Sequence, residues 1–73
     1  MKLNEYKIGD TVELAFPGGW LQDSTRFPNV NQIYWIEGTV TEVKENACIV
    51  DCPTIYLDNI LVIREVGIKL KNN

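Results

Sequence analysis

The sequence contains no histidine. That single absence removes the commonest general base, the commonest metal ligand and the side chain that titrates near neutral pH. Serine–histidine and cysteine–histidine nucleophile pairs are therefore impossible. Serine is nearly absent too, with Ser24 alone in a polar stretch. Basic residues are scarce in the body of the chain. Between residues 8 and 68 only Arg26, Lys44 and Arg64 are basic, against nine acids: Asp10, Glu13, Asp23, Glu37, Glu42, Glu45, Asp51, Asp58 and Glu65. Binding to a nucleic-acid backbone draws on lysine and arginine, so the charge balance argues against nucleic acid as a partner. No apolar run approaches the ~20 residues that span a bilayer, and no membrane association is expected. The first seven residues carry charge without an apolar core behind them, unlike a signal peptide. The expected compartment is the cytoplasm.

Cysteine is limited to Cys48 and Cys52. In one extended strand their Cα atoms would lie about 13 Å apart, at about 3.3 Å per residue. A disulfide tolerates about 7 Å, so two small buried or half-buried thiols are expected instead. A zinc site would need two further ligands, and only carboxylates are on offer. No cofactor, metal site or catalytic group is expected, and the protein is read as a non-enzyme.

What remains is a chain of 73 residues, 45% apolar, with a net charge of −3. Its length fits one small domain with a thin core. The pattern is that of strands. In residues 11–16, Val12, Leu14 and Phe16 share one face while Thr11, Glu13 and Ala15 share the other. Lys7-Ile8-Gly9-Asp10 forms the turn before it, and Pro17-Gly18-Gly19 breaks the strand. Residues 20–31 follow without a clean period. A structureless stretch of that length is uncommon in so small a domain and is often functional.

Residues 32–43 are the longest strand candidate. Ile36, Gly38 and Val40 point one way, Glu37, Thr39 and Thr41 the other, and Val43 then falls out of phase. That slip predicts a bulge, and Gly38 predicts a close backbone approach. Lys44-Glu45-Asn46 supplies the hairpin, with Asn46 able to take positive φ. Residues 47–52 and 60–63 are apolar on both faces, so an N-terminal segment, the long loop or another subunit is expected to cover the outer set. Asp58-Asn59 reads as a tight turn with a 3₁₀ character, and residues 66–71 as a last edge strand or frayed tail.

Gly9-Asp10-Thr11-Val12, Gly38-Thr39-Val40-Thr41-Glu42-Val43 and Leu57-Asp58-Asn59-Ile60-Leu61-Val62 resemble the first strand, the central hairpin and the closing strand of Src-homology-3-like (SH3-like) small barrels. That superfold includes KOW and Tudor domains and the type II dihydrofolate reductases. The resemblance covers roughly half the chain and implies an all-β fold: a small five-stranded SH3-like barrel with a long loop after the first strand. It implies a scaffold rather than a function. KOW modules are usually basic, whereas this body is acidic. Type II reductases carry Gln before their Ile-Tyr pair, whereas Thr54 precedes Ile55-Tyr56 here.

The expected partner is a protein, engaged through the aromatic-bearing loop and the strand beside it. Trp20, Phe27, Tyr34, Trp35 and Tyr56 would supply contact area, and Asp23 and Arg26 orientation. Tyr34 and Trp35 are adjacent, so only one of them can face the core. A homo-oligomer is a further possible assembly. Three alternatives stand beside this reading: an acidic inhibitor of a nucleic-acid-binding protein, a KOW- or Tudor-like nucleic-acid module, and an oligomer with a ligand site where barrels meet.

Overall fold

The structure, a computed structural model, describes residues 1–71. Strands β1 (Thr11–Pro17), β2 (Ile33–Val43), β3 (Cys48–Cys52), β4 (Leu57–Val62) and β5 (Ile68–Leu70) form one antiparallel sheet in the order β4-β3-β2-β1-β5. The all-β expectation holds. Closure does not follow from the strand pairing. β4 and β5 are the two edges, and no ladder joins β4 to β1 or β5 among the described residues. Nor is any helix there long and apolar enough to cross a membrane.

Alternation builds the core as expected. Val12 and Leu14 of β1, Ile36 and Val40 of β2, and Cys48, Val50 and Cys52 of β3 are buried on the inner face. β5 adds Ile68. The N-terminal segment contributes more than its sequence indicates. It makes a 3₁₀ turn at Leu3–Glu5, tied by the Lys2 N–H donating to Glu5 Oε1 at 2.7 Å, and inserts Leu3 and Tyr6 into the same core. Gly9 closes the next turn at φ +94°, where a side chain would be strained.

The long central strand explains its own irregularities. Gly38 is buried against β3. A Cβ there would lie 2.6 Å from Val50 Cγ1, 2.8 Å from the Asp51 carbonyl oxygen and 2.9 Å from Cys52 Sγ. Two residues later the ladder slips: Val40 pairs with Val50, but Glu42 with Ile49, leaving Thr41 without a partner. This is the bulge that the Val43 phase predicts, and it returns Val43 to the inner face opposite Cys48.

Two local details differ from expectation. The hairpin after β2 closes with the Lys44 N–H donating to the Ala47 carbonyl at 2.8 Å, and Asn46 does not adopt positive φ. The 3₁₀ turn lies at Pro53–Ile55 rather than at Asp58-Asn59, because Pro53 presets the first φ of the turn. Asp58 and Asn59 instead belong to β4. Asn59 takes φ +55°, and its N–H donates to Asp51 Oδ1 at 2.8 Å, which holds a second bulge against β3. Of the three covers expected for the outer apolar set, neither the N-terminal segment nor the long loop shields Leu61 or the following Ile63. Leu61 is 58% and Ile63 64% exposed.

Candidate partner-binding surface

The segment after β1 is more ordered than its composition indicates. Gly18 begins a single helical turn, α1 (Gly18–Leu21), which Gln22 ends at φ +53°. The returning chain lies directly on it: the Gly18 N–H donates to the Gln32 carbonyl at 2.9 Å and the Gly19 N–H to Val30 at 3.0 Å. A Cβ at Gly18 would overlap the Asn29 carbonyl and meet Tyr34 Cε2 at 2.9 Å. Glycine is thus required where the loop crosses its own start. Asp23 then caps the next turn, its Oδ1 accepting from the Arg26 N–H at 3.3 Å and its carbonyl from the Phe27 N–H at 2.8 Å.

Phe27 and Tyr34 form the floor that anchors this loop. Their rings meet edge to face at 5.0 Å and 67°, both half-buried against the core, a favoured aromatic geometry. Tyr34 Oη also accepts a hydrogen bond from the Asn29 N–H at 3.3 Å. The Arg26 guanidinium lies 5.0 Å from the Phe27 ring centre. Its Nη1 donates to the Thr54 carbonyl at 2.7 Å and sits 3.7 Å from Asp23 Oδ2. Arg26 therefore binds the loop to the 3₁₀ turn before β4, across 28 residues of sequence.

Between these two segments lies a recess of about 250 Å³, with Leu21, Phe27 and Ile55 as its apolar lining and Asp23, Arg26 and Tyr56 at its polar rim. Tyr56 is 90% exposed and adopts φ +59°, ψ +32°, its N–H donating to the Pro53 carbonyl at 3.1 Å. A bulky residue in the left-handed region is a genuine outlier and marks a place where surrounding structure overrides local preference.

The predicted site residues thus separate into groups. Asp23, Arg26, Phe27 and Tyr56 share the recess, and Tyr34 supports it from beneath. Trp20, on α1, is 74% exposed and lines neither this recess nor a second one of about 240 Å³ on the other side of Phe27. It does not plug the end of the sheet. Trp35 stands apart, on the outer face of β2 opposite Ala15, with Lys69 Nζ 4.1 Å from its ring centre. Leu21 and Ile55 were not singled out by sequence. Their signal is weak: Leu21 stands in the shadow of Trp20, and Ile55 in that of Tyr56.

The two cysteines lie outside the recess. Both thiols are free and buried. Burial raises the Cys48 pKa. Burial, followed by the neighbouring Asp51 charge, pushes Cys52 up to about 11. Both stay protonated near neutral pH and are poor nucleophiles. No group of three or more His, Cys, Asp or Glu side chains converges as a metal site among the described residues. Several surface acids are engaged with cations: Glu37 with Lys71, Glu42 with Lys44, and Asp23 with Arg26. Comparison with protein-family models, with curated proteins and with solved structures finds no match.

Proposed function

We propose that this chain is a non-enzymatic binding protein that takes a short apolar or aromatic segment of another protein into the recess between the long loop and the 3₁₀ turn. The observation that carries this reading is Tyr56. It is the most exposed large hydrophobic side chain described, held in a strained backbone conformation at the rim of an apolar recess whose opposite wall is locked by Arg26. An exposed aromatic beside a preformed concavity, with one charged group fixed for orientation, is the usual composition of an interface anchor. Trp20 extends the contact beyond the rim. Phe27 and Tyr34 hold the platform and are expected to act through it.

The scaffold we propose is an opened form of the SH3-like barrel. The sheet curls far enough for Leu14 and Phe16 of β1 to share a groove with Ile60 and Val62 of β4, although no ladder joins them. The engagement of Glu37, Glu42 and Asp23 by neighbouring cations disfavours an acidic nucleic-acid mimic.

Selection of binders from a random peptide-display library tests the proposal. Peptides selected on the intact protein are expected to lose at least about tenfold in affinity, about 1.4 kcal/mol, against Tyr56→Ala and against Trp20→Ala. They should bind Trp35→Ala unchanged. Because Tyr56 and Trp20 are exposed, matched circular dichroism spectra are expected for all three variants. Selected peptides that ignore Tyr56→Ala, or that depend on Trp35, would overturn the assignment.

A further inference from the structure

The recess beside Tyr56 is one of a pair. The second recess adjoins it, and Gln22, Asp23 and Phe27 line both. One ridge therefore separates two concavities, and the fold holds that ridge on several sides. Gln22 sits at φ +53°, Asp23 accepts the Arg26 N–H, and Tyr34 braces the Phe27 ring edge to face. A wall fixed in this way needs little ordering when a ligand arrives.

The two halves are apolar by different means. Side chains of Leu21, Phe27 and Ile55 line the first. The second is built around the glycine pair Gly18-Gly19, with Pro28 and Val30 beside it. Gly19 has room for a Cβ at 3.6 Å from Val30 Cβ and leaves that room unfilled. At about 250 Å³ and 240 Å³ each recess alone is smaller than an ordinary ligand site of roughly 300–1,000 Å³, whereas the two together fall within that range. Trp20 stands in sequence between Gly19 of the second recess and Leu21 of the first, exposed and lining neither. A ligand that continues from one recess to the other gives it a role.

The geometry points to a single two-part site whose ligand is an extended segment of a partner protein, with two apolar side chains at alternate positions, one in each recess. Alternate side chains of an extended chain share a side and lie about 6.6 Å apart. The surface repeats that order: an apolar hollow, a polar ridge, an apolar hollow. The peptide group between the anchors crosses the ridge, where the exposed Gln22 amide offers both a donor and an acceptor. This inference rests on the partner-binding reading above and adds to it the second recess and the spacing of the anchors.

Peptides selected on the intact protein and titrated by fluorescence anisotropy test it. Their sequences should share two apolar positions separated by one residue. Val30→Asp places a charge in the second recess at a position already 63% exposed. Ser24→Arg, at another exposed position in that recess, is an independent block. Each should weaken binding about tenfold with an unchanged circular dichroism spectrum. Trimming one anchor to alanine should cost about tenfold on the wild type and nothing further on Val30→Asp. Trimming the other should behave in the same way toward Tyr56→Ala. Peptides with a single apolar anchor, or peptides weakened by Tyr56→Ala but by neither Val30→Asp nor Ser24→Arg, would overturn the two-part site and leave the Tyr56 reading standing. Peptides indifferent to Tyr56→Ala would overturn that reading and this inference with it.

Discussion

At one side of the sheet β5 is three residues long, and two lysines stand over it. Lys69 lies against the Trp35 ring and Lys71 pairs with Glu37. At the other side β4 runs for six residues, has no lysine, and leaves Leu57, Leu61 and the following Ile63 exposed. Both strands are edges, but they are guarded differently: β5 by lysine, β4 by the charge of Asp58 and the bulge at Asn59. The contrast teaches that one small sheet can guard its two edges by different means. Lys69 and Lys71 serve the β5 edge by charge, and the β4 edge is made irregular by its bulge.

The largest test of this contrast lies at the seam that joins the β4 side to the rest. Gly38→Val would push its side chain into Val50, Asp51 and Cys52. β3 and β4 would be displaced while the β1–β5 pairing is left without a direct clash. Overpacking of this kind costs about 3 kcal/mol or more when backbone is in the way, a large share of the stability of so small a domain. Urea denaturation should show a midpoint far below that of the wild type, or no folded baseline.

A smaller effect reports on the β4 edge directly. Cys52 lies opposite Leu57 in the β3–β4 ladder and is fully buried. Its thiol is neutral in the fold up to about 11, against an ordinary 9.0. The sign follows: an acid whose pKa is raised by folding is no liability below pH 9. As pH climbs from there through about 11, the unfolded chain ionises first and folding is progressively disfavoured. Labelling by a thiol reagent at pH 8 should therefore be slow and should quicken when β4 frays. Labelling as fast as in urea would mean that the edge is open in solution.

The smallest effect belongs to the lysine-guarded edge. The hydrogen bond and charge of Glu37 raise the Lys71 pKa. The stabilisation is therefore present below the ordinary lysine range and fades as pH rises through the raised value. Lys71 is at the surface, where such a pair contributes little. Lys71→Ala should leave the melting temperature nearly unchanged in calorimetry at neutral pH, and a shift as large as that of the Gly38 variant would contradict this picture.

Much of the scaffold was legible because alternation and phase are local. Val12, Leu14, Ile36 and Val40 declared their face by spacing, and the slip at Val43 located a bulge that the ladder contains. Gly38 declared a close approach without naming its neighbours. The illegible parts depend on distant contacts. Tyr56 and Gln22 take positive φ against their own preference. Arg26 reaches the Thr54 carbonyl from the far side of two strands, and no feature of either segment announces the other. The aromatic set was correctly read as split, since Trp35 and Tyr34 face opposite ways. Which aromatics flank a concavity was decided by the loop's return over Gly18.

Thr41 has a consequence for chain length. Its removal would not swap the two sides of the strand. With it gone, Val40, Glu42 and Val43 would alternate inward, outward and inward in an unbroken ladder. Removing Glu37 or Thr39 instead would exchange inside for outside along one arm of the strand. The bulge is thus a reserve of one residue, set beyond the last backbone bond to the β1 side, where the strand can shorten without repacking its core.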